Sequence, residues 1–437
     1  MTTQAIPQPK TLIPMMIIGT LFFVFGFVTW LNGSLIPFLK IICDLNEFQA
    51  LFVTLAFYIA YTVMALPSAI ILKAIGYKTG MVLGLGIMAA GALIFIPAAQ
   101  WQHYGVFLLA LFTLGSGLTL LQTASNPYIV LIGPSESAAK RISIMGLINK
   151  GAGVIVPLVF TALILSGIQG YDEASLAALS ELERESRIAE LSQRLVLPYI
   201  YMAVVLVGLA VFVQFSALED LNFEADDKQS NESPLAVLQF PHLILGALTL
   251  FCYVGVEVIA GDTIGLYGQQ LGVDNFASLT SYTMVFMVIG YLFGVAFIPR
   301  FISQATALSI TAVAGLAFTL GAVYSSAQST ALADILFSWA GVPAVPDTIV
   351  FVALLGLANA LVWPTVWPLA LKGLGKFTAT GSALLIMGIA GGAILPLAYG
   401  HFAVDGNAQN AYLVNLPCYL IILFYGLKGH KIRANKK

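Results

Sequence analysis

The chain has 437 residues, of which 59% are hydrophobic and 9% charged, and its formal net charge is −2. A soluble domain carries about 25% charged residues, so this composition excludes a soluble enzyme or a disordered chain, and it leaves no basic footprint for nucleic acid. The three cysteines are too few and too scattered for a disulfide framework or a metal cluster. About twelve apolar helices of ~20 residues would use ~240 residues, which fits an all-α membrane protein.

Apolar runs separated by polar breaks predict twelve membrane-spanning helices. The first run is too long for the apolar part of a signal peptide and lacks a small-residue cleavage site, so we expect no cleaved signal. Each predicted span is long enough to cross a hydrocarbon core of ~30 Å. The spans are residues 12–39, 48–72, 79–99, 104–132, 142–168, 196–217, 241–268, 275–298, 304–326, 348–371, 378–403 and 409–427.

Two polar stretches organise these spans. An insert at 169–195 separates spans five and six, and an acidic stretch after span six divides the chain into two halves of six spans. The sequence therefore predicts an N-terminal bundle at 1–217, a cytoplasmic linker at 218–240 and a C-terminal bundle at 241–437. Within the insert, charged residues alternate with apolar ones at helical spacings, which predicts a short amphipathic helix outside the transport chemistry. The apolar positions of this helix are Leu176, Leu179, Leu182 and Ile188.

The distribution of basic residues predicts the orientation. Fourteen of the nineteen lysines and arginines lie at the termini or in the loops that share their side, and four lie in loops on the other side. The positive-inside rule places the basic side in the cytoplasm. We therefore expect both termini to be cytoplasmic, as an even number of spans requires.

A weak internal repeat relates the two halves. Asn126-Pro127 in span four is echoed by Trp363-Pro364 in span ten, and Pro157 in span five is echoed by Pro396 in span eleven at nearly the same spacing. Repeated halves with Gly and Pro breaks in matching helices are typical of secondary transporters. The alternative is that Gly and Pro are simply frequent in membrane helices.

Twelve spans arranged as six plus six, with a central cytoplasmic loop, resemble the major facilitator superfamily. The loop between spans two and three keeps the superfamily pattern at Gly76 and Lys78, whereas Ser68 and Leu72 replace its Gly and Asp. This altered loop resembles that of one branch of the superfamily, the L-fucose permease and the bacterial glucose/galactose transporters. The resemblance covers nearly every span, but neither the insert nor the acidic linker. It rests on LNGSLIPFLK, IPAAQWQHYGVFLLALF, LQTASNPYIVLIGP, FCYVGVEVIAGD and LKGLGKFTATGSALLIMGIAGGAILP.

Within this branch, VGVEVIAGDTIGLYG and NALVWPTVWPLALKGLG are most similar to Na⁺-linked hexose and N-acetylglucosamine permeases of Gram-negative bacteria. The resemblance implies a sugar transporter of the bacterial inner membrane. The sequence also departs from the branch, because the L-fucose permease has a functional Asp in span one and a functional Glu in span four. The matching positions here are Gly33 and Gln122, so the proton-coupling pair of that relative is missing.

Three Asp, Glu, Lys or Arg side chains fall inside predicted spans: Lys150 in span five, and Glu257 and Asp262 in span seven. Charges in the hydrocarbon region are costly, so each of them is a candidate functional residue. Span seven is rich in glycine and can unwind, and a carboxylate together with freed carbonyls would suit a dehydrated Na⁺. Glu257 is the first candidate for this cation site and Asp262 the second. A proton relay, or a Lys150–carboxylate pair that only neutralises the bundle, are the alternatives.

Uncharged polar and aromatic residues predict a sugar site. Amides both donate and accept hydrogen bonds, which suits a neutral polyol. Trp363 and Trp367 are four residues apart and share one helix face, on which the apolar face of a sugar ring could pack. The asparagines could instead cap helices or form helix–helix contacts. The tryptophans could instead belong to an aromatic belt at the membrane interface. The predicted substrate residues are Asn32, Gln122, Asn126, Asn149, Lys150, Asn359, Trp363 and Trp367, with weaker support for Tyr253 and Tyr267.

The chain is therefore interpreted as a cation-coupled symporter, with Na⁺ favoured, that imports a hexose or N-acetylhexosamine by alternating access. No nucleophile elbow, phosphate-binding loop or zinc spacing is present in the sequence, so we expect neither an enzyme nor a bound cofactor. A proton-coupled symporter and a membrane sugar sensor are the alternatives. We expect a monomer.

Overall fold

The computed structural model describes residues 12–132, 138–165, 179–218, 234–298, 300–337, 339, 341–374, 377–404 and 408–433. These residues are predominantly helical, and no β-strand occurs among them. They contain twelve helical segments that are long and apolar enough to cross a membrane. The all-α membrane fold and the number of spans are thus confirmed.

The first six spans form the N-terminal half. They are span one, Leu12–Cys43; span two, Phe52–Ile75; span three, Tyr77–Trp101; span four, Tyr104–Leu131; span five, Ala138–Phe160; and span six, Val196–Phe215.

The remaining six spans form the C-terminal half, and two of them are built from two helical pieces. They are span seven, Pro241–Gln270; span eight, Thr280–Phe297; span nine, Gln304–Tyr324; span ten, Asp347–Asn359 with Val362–Leu371; span eleven, Thr378–Met387 with Gly391–Ala403; and span twelve, Asn415–Leu427. Most of the predicted linker lies outside the described residues.

Successive spans run in opposite directions, which gives the bundle two distinct ends. We call the end that holds the helix Glu181–Gln193 of the insert the insert side, and the opposite end, where span one begins and span twelve ends, the terminal side. The two halves meet through span one against span seven, span five against span eight, and span two against span eleven. The space between the halves is therefore lined by helices of both.

The Gly and Pro echoes have different structural outcomes in the two halves. Span ten breaks at Ala360–Leu361, immediately before Trp363-Pro364, so that the proline falls in the first turn of the second piece, where its missing N–H is tolerated. Span eleven passes through a 3-10 turn at Gly388–Ala390. Span four, by contrast, continues as an α-helix through Asn126-Pro127 to Leu131. The break suggested by the repeat is thus present in span ten and absent from span four.

Span seven does not unwind, contrary to the expectation from its glycines. It is one continuous α-helix of 30 residues. Its glycines serve close packing instead: a Cβ atom on Gly255 would collide with Leu395, and one on Gly261 would collide with the Trp30 ring. Because a missing side chain lets neighbouring helices approach, the backbone keeps its own hydrogen bonds and frees no carbonyl here for an ion.

The described part of the insert contains the predicted helix, although its buried face differs from the prediction. Leu191 is fully buried, and the adjacent Ser192 donates a hydrogen bond of 2.7 Å to the Ala99 carbonyl at the end of span three. Leu182, predicted for the apolar face, is 80% exposed. Leu176 lies outside the described residues, and Leu179 and Ile188 are half-buried. The helix docks through its C-terminal turn, because that turn lies over span three.

Candidate functional site

A buried ion pair joins the two halves near the middle of the bundle. Lys150 Nζ in span five lies 2.7 Å from Glu257 Oε1 in span seven, and both residues are less than a tenth exposed. The Tyr253 hydroxyl donates a second hydrogen bond of 2.7 Å to the same carboxylate oxygen. The Lys150 ammonium also lies 4.3 Å from the centre of a Trp30 ring. The charge is therefore shared among spans one, five and seven.

An aromatic surface extends from this pair into the C-terminal half. The Tyr253 and Trp363 rings are 6.2 Å apart between centres, and Trp363 and Trp367 are 5.4 Å apart with their planes tilted by 55°. Both tryptophans remain partly exposed. The predicted shared face of Trp363 and Trp367 is thus confirmed as geometry. Together with Glu257, these rings form a surface with one charged end and a broad apolar part.

Asp262 occupies a different environment from Glu257. Five residues along a continuous helix separate their directions by ~140°, so the two carboxylates do not share a site. Asp262 is fully buried, and neither of its oxygens has a hydrogen-bond partner of good geometry among the described residues. Glu257, by contrast, already has a cationic partner.

The position that matches the span-one Asp of the L-fucose permease has no room for a side chain. A Cβ atom on Gly33 would lie 2.7 Å from the Gly261 carbonyl oxygen and closer still to the Thr280 hydroxyl. That hydroxyl donates a hydrogen bond of 2.8 Å to the same carbonyl. Span one therefore packs directly against the backbone of span seven and the Thr280 side chain of span eight. The match at span four, Gln122, donates a hydrogen bond of 3.0 Å to the Tyr61 hydroxyl.

The predicted amides have different surroundings. Asn32 is buried and its amide nitrogen has no hydrogen-bond partner among the described residues, while Asn126 is half-buried. Asn149 donates a long hydrogen bond of 3.4 Å to the Phe22 carbonyl. Asn359 is fully buried and accepts a hydrogen bond of 2.8 Å from Tyr419. Asn32 and Asn359 thus each keep an amide nitrogen without a hydrogen-bond partner among the described residues, and Asn149 and Asn359 contact other helices of their own half.

Sequence reasoning missed several neighbours of these residues. Trp30 contacts Lys150, Tyr61 binds Gln122, and Thr54 in span two faces Asp262. The partner of an uncharged residue inside an apolar span cannot be predicted from hydropathy. Hydropathy indicates how deep a residue lies in the membrane, but not which neighbouring helix its side chain contacts. Tyr253 was detectable, since it lies four residues before Glu257 on one helix face.

These features define a membrane protein whose two helical halves enclose a polar and aromatic site at their interface. The model of the Major Facilitator Superfamily matches residues 18–397, and the chain belongs to this family.

Among the relatives of this chain is the glucose/galactose transporter of Brucella abortus. It is 35% identical over 413 residues, covering 94% of this chain and 92% of the relative. The L-fucose-proton symporter of Escherichia coli is 27% identical over 424 residues, covering 95% and 92%. The crystal structure of the transporter FucP in the outward conformation superposes with a TM-score of 0.71 at 26% identity, covering 95% of this chain and 98% of that one.

Proposed function

We propose that the protein is a cation-coupled sugar symporter, which imports a hexose or an N-acetylhexosamine by alternating access. Relatives named as a glucose/galactose transporter and as an L-fucose-proton symporter, each aligned over nine-tenths or more of its length, support the substrate class. The structural observation that carries the proposal is the Tyr253–Trp363–Trp367 surface beside the buried Lys150–Glu257 pair. A sugar needs both an apolar face and polar groups with spare hydrogen-bonding capacity.

The sugar ring is placed against Trp363 and Trp367, because an aromatic face packs well on the C–H side of a pyranose. Its hydroxyls are placed toward Gln122 and Asn32, which lie in the opposite half and offer amide donors and acceptors. Binding between the halves lets one molecule of substrate contact both of them. Rocking of the halves then exposes it to each side of the membrane in turn.

The Lys150–Glu257 pair is placed at the moving interface. Its members belong to different halves, so the distance between them depends on how the halves are arranged. A sugar hydroxyl can compete for either member, since a hydrogen bond to a charged group is stronger than one between neutral groups. In this proposal, Lys150 serves both as a partner of Glu257 and as a substrate ligand.

Na⁺ is favoured as the coupling ion. The carboxylates of the L-fucose permease in spans one and four are replaced by Gly33 and Gln122, and Gly33 lies where no side chain fits. Among the described residues, the buried acids that lie away from the span ends are Glu257 and Asp262. Proton coupling is the second candidate, and the L-fucose-proton symporter relative favours it. The protein is placed in a bacterial inner membrane as a monomer with cytoplasmic termini, so the insert side faces the periplasm.

Uptake into proteoliposomes tests the sugar assignment. Purified protein is reconstituted and offered labelled glucose, galactose, mannose, fucose and N-acetylglucosamine, with protein-free liposomes and unlabelled competitor as controls. We expect saturable uptake of at least one of these sugars. Saturable uptake of none of them under either ion gradient would contradict the proposed function.

A further inference from the structure

Asp262 is buried in a seam formed by spans two, seven and eleven. One turn closer to the terminal side, Tyr58, Val254 and Val258 converge on Gly392, where an added Cβ atom would lie 3.1 Å from each of them. Asp262 follows Val258 by four residues on the same face of span seven. Asp262 therefore continues this seam toward the insert side.

Thr54 takes the matching place in span two. Thr54 precedes Tyr58 by four residues, and Asp262 follows Val258 by four. Because spans two and seven run in opposite directions, both residues lie one helical turn from the Tyr58–Val258 contact, on its insert side. The Thr54 hydroxyl lies beside the Asp262 carboxylate, yet the two form no hydrogen bond of good geometry. Both side chains are fully buried. Three oxygen atoms thus face one another from opposite halves.

This arrangement is costly unless something neutralises it. An isolated carboxylate without hydrogen bonds loses its hydration on burial and gains nothing in return. Lys150 is engaged with Glu257, and Asp262 lies on another face of the helix. Among the described residues, no three His, Cys, Asp or Glu side chains converge, so a divalent ion would lack the anionic ligands that usually hold it. A monovalent cation fits the single negative charge.

The oxygen atoms around Asp262 suit Na⁺ as a ligand set. Na⁺ needs only oxygen ligands, and both carboxylate oxygens and the Thr54 hydroxyl present lone pairs.

We propose that Asp262 and Thr54 bind the coupling Na⁺ between spans seven and two, at a site separate from the Lys150–Glu257 pair. That the ion drives transport rests on the proposed function, but the ion site itself does not depend on which sugar is carried. Because its ligands come from both halves, bound Na⁺ favours the arrangement in which the halves are closed around this seam. This assigns the ion to Asp262 in preference to Glu257, which the sequence favoured.

Ion binding by the purified full-length protein tests the site directly. The melting temperature is measured against NaCl at constant ionic strength, with choline and K⁺ as replacement ions, for the wild type, Asp262→Asn, Thr54→Val and Thr319→Val. Thr319 is the matched control, because it is also fully buried with an unpartnered hydroxyl but lies in span nine. We expect Na⁺ to raise the wild-type melting temperature, with half-effect at a defined concentration. The Na⁺ concentration at half-effect should rise about tenfold in Thr54→Val and stay unchanged in Thr319→Val. In Asp262→Asn, Na⁺ should no longer raise the melting temperature.

Several results would overturn the site. An unchanged Na⁺ half-effect in Asp262→Asn would exclude this carboxylate, and an equal shift in Thr54→Val and Thr319→Val would exclude the role of Thr54. A wild-type melting temperature that ignores Na⁺ but follows pH, with that dependence lost in Asp262→Asn, would make the ligand a proton. If Asp262→Asn fails to fold, Thr54→Val still decides the outcome. Intact Na⁺ binding without uptake of any sugar would instead contradict the proposed function and leave the ion site in place.

Discussion

Lys150 and Glu257 form a buried ion pair, 2.7 Å between Nζ and Oε1, that connects span five of one half to span seven of the other. The two residues are 107 positions apart in the chain, so only the tertiary arrangement of the halves brings them together. The Tyr253 hydroxyl and the Trp30 ring complete the surroundings of the pair. Because its members belong to different halves, the distance between them depends on how the halves are arranged.

Removing one member of this pair should destabilise the protein more than removing both. Glu257→Gln or Lys150→Met leaves an uncompensated buried charge, which costs about 3–5 kcal/mol, whereas the double variant leaves none. Melting temperatures of the three purified variants measure this. Glu190→Gln, which breaks the exposed Arg194–Glu190 pair of the insert helix, is the control and should cost under ~1 kcal/mol. A double variant whose loss equals the sum of the single losses would contradict the buried pairing.

Gly33→Ala should disturb the contact between the halves. The added Cβ atom would meet the Gly261 carbonyl oxygen and the Thr280 hydroxyl, and such overpacking costs about 1–3 kcal/mol in the closed arrangement. The distance between spin labels at Gln102 and Val404, on the insert side of the two halves, should therefore shift toward longer values. Gly86→Ala is the control, because nothing lies within 4 Å of an added Cβ atom there. Equal distance distributions in both variants would exclude the close contact.

Trp363→Ala should weaken sugar binding while the protein remains folded. Loss of a stacking surface and its buried contacts should cost about 1–3 kcal/mol, or about 5- to 150-fold in affinity. Equilibrium binding of the transported sugar to purified protein measures this change. Trp101, at the end of span three and 69% exposed, provides the control, and Trp101→Ala should bind as the wild type does. Unchanged affinity in Trp363→Ala would remove span ten from the sugar site.

The insert helix should contribute to stability and not to sugar preference. Leu191 is fully buried against the N-terminal half, so Leu191→Ala should cost about 2–5 kcal/mol and lower the melting temperature. Leu182 is 80% exposed, and Leu182→Ala should stay within ~0.5 kcal/mol of the wild type. The order of preference among labelled sugars should be the same in both variants. A changed order in Leu191→Ala would show that the helix takes part in substrate selection.

Hydropathy was sufficient to predict the twelve spans, because a helix must satisfy its own backbone groups in lipid. It also located Lys150, Glu257 and Asp262, since ionisable residues are rare at membrane depth. It could not distinguish the two acids. Glu257 has Lys150 as its partner and Asp262 has none, a difference that arises from the packing of spans two, five and seven and leaves no trace in local sequence.

The glycines of span seven show a second limit of the sequence. A glycine-rich helix is compatible both with unwinding and with close approach of neighbouring helices, and the choice depends on what lies opposite. Here Leu395 and Trp30 fill the space beside Gly255 and Gly261, so the helix stays intact. Gly33 had the same ambiguity: its alignment with a functional Asp suggested a lost carboxylate, and the structure adds that no side chain fits there.

Uptake under separate ion gradients tests the central claim, Na⁺-coupled sugar import, most directly. Proteoliposomes are loaded so that either an inward Na⁺ gradient at equal pH or an acid-outside pH gradient without Na⁺ is the only driving force, and the uptake of the preferred sugar is followed. We predict accumulation above equilibrium with the Na⁺ gradient, and its loss in Asp262→Asn. Accumulation driven by the pH gradient alone, with no response to Na⁺, would contradict the claim and identify the proton as the coupling ion.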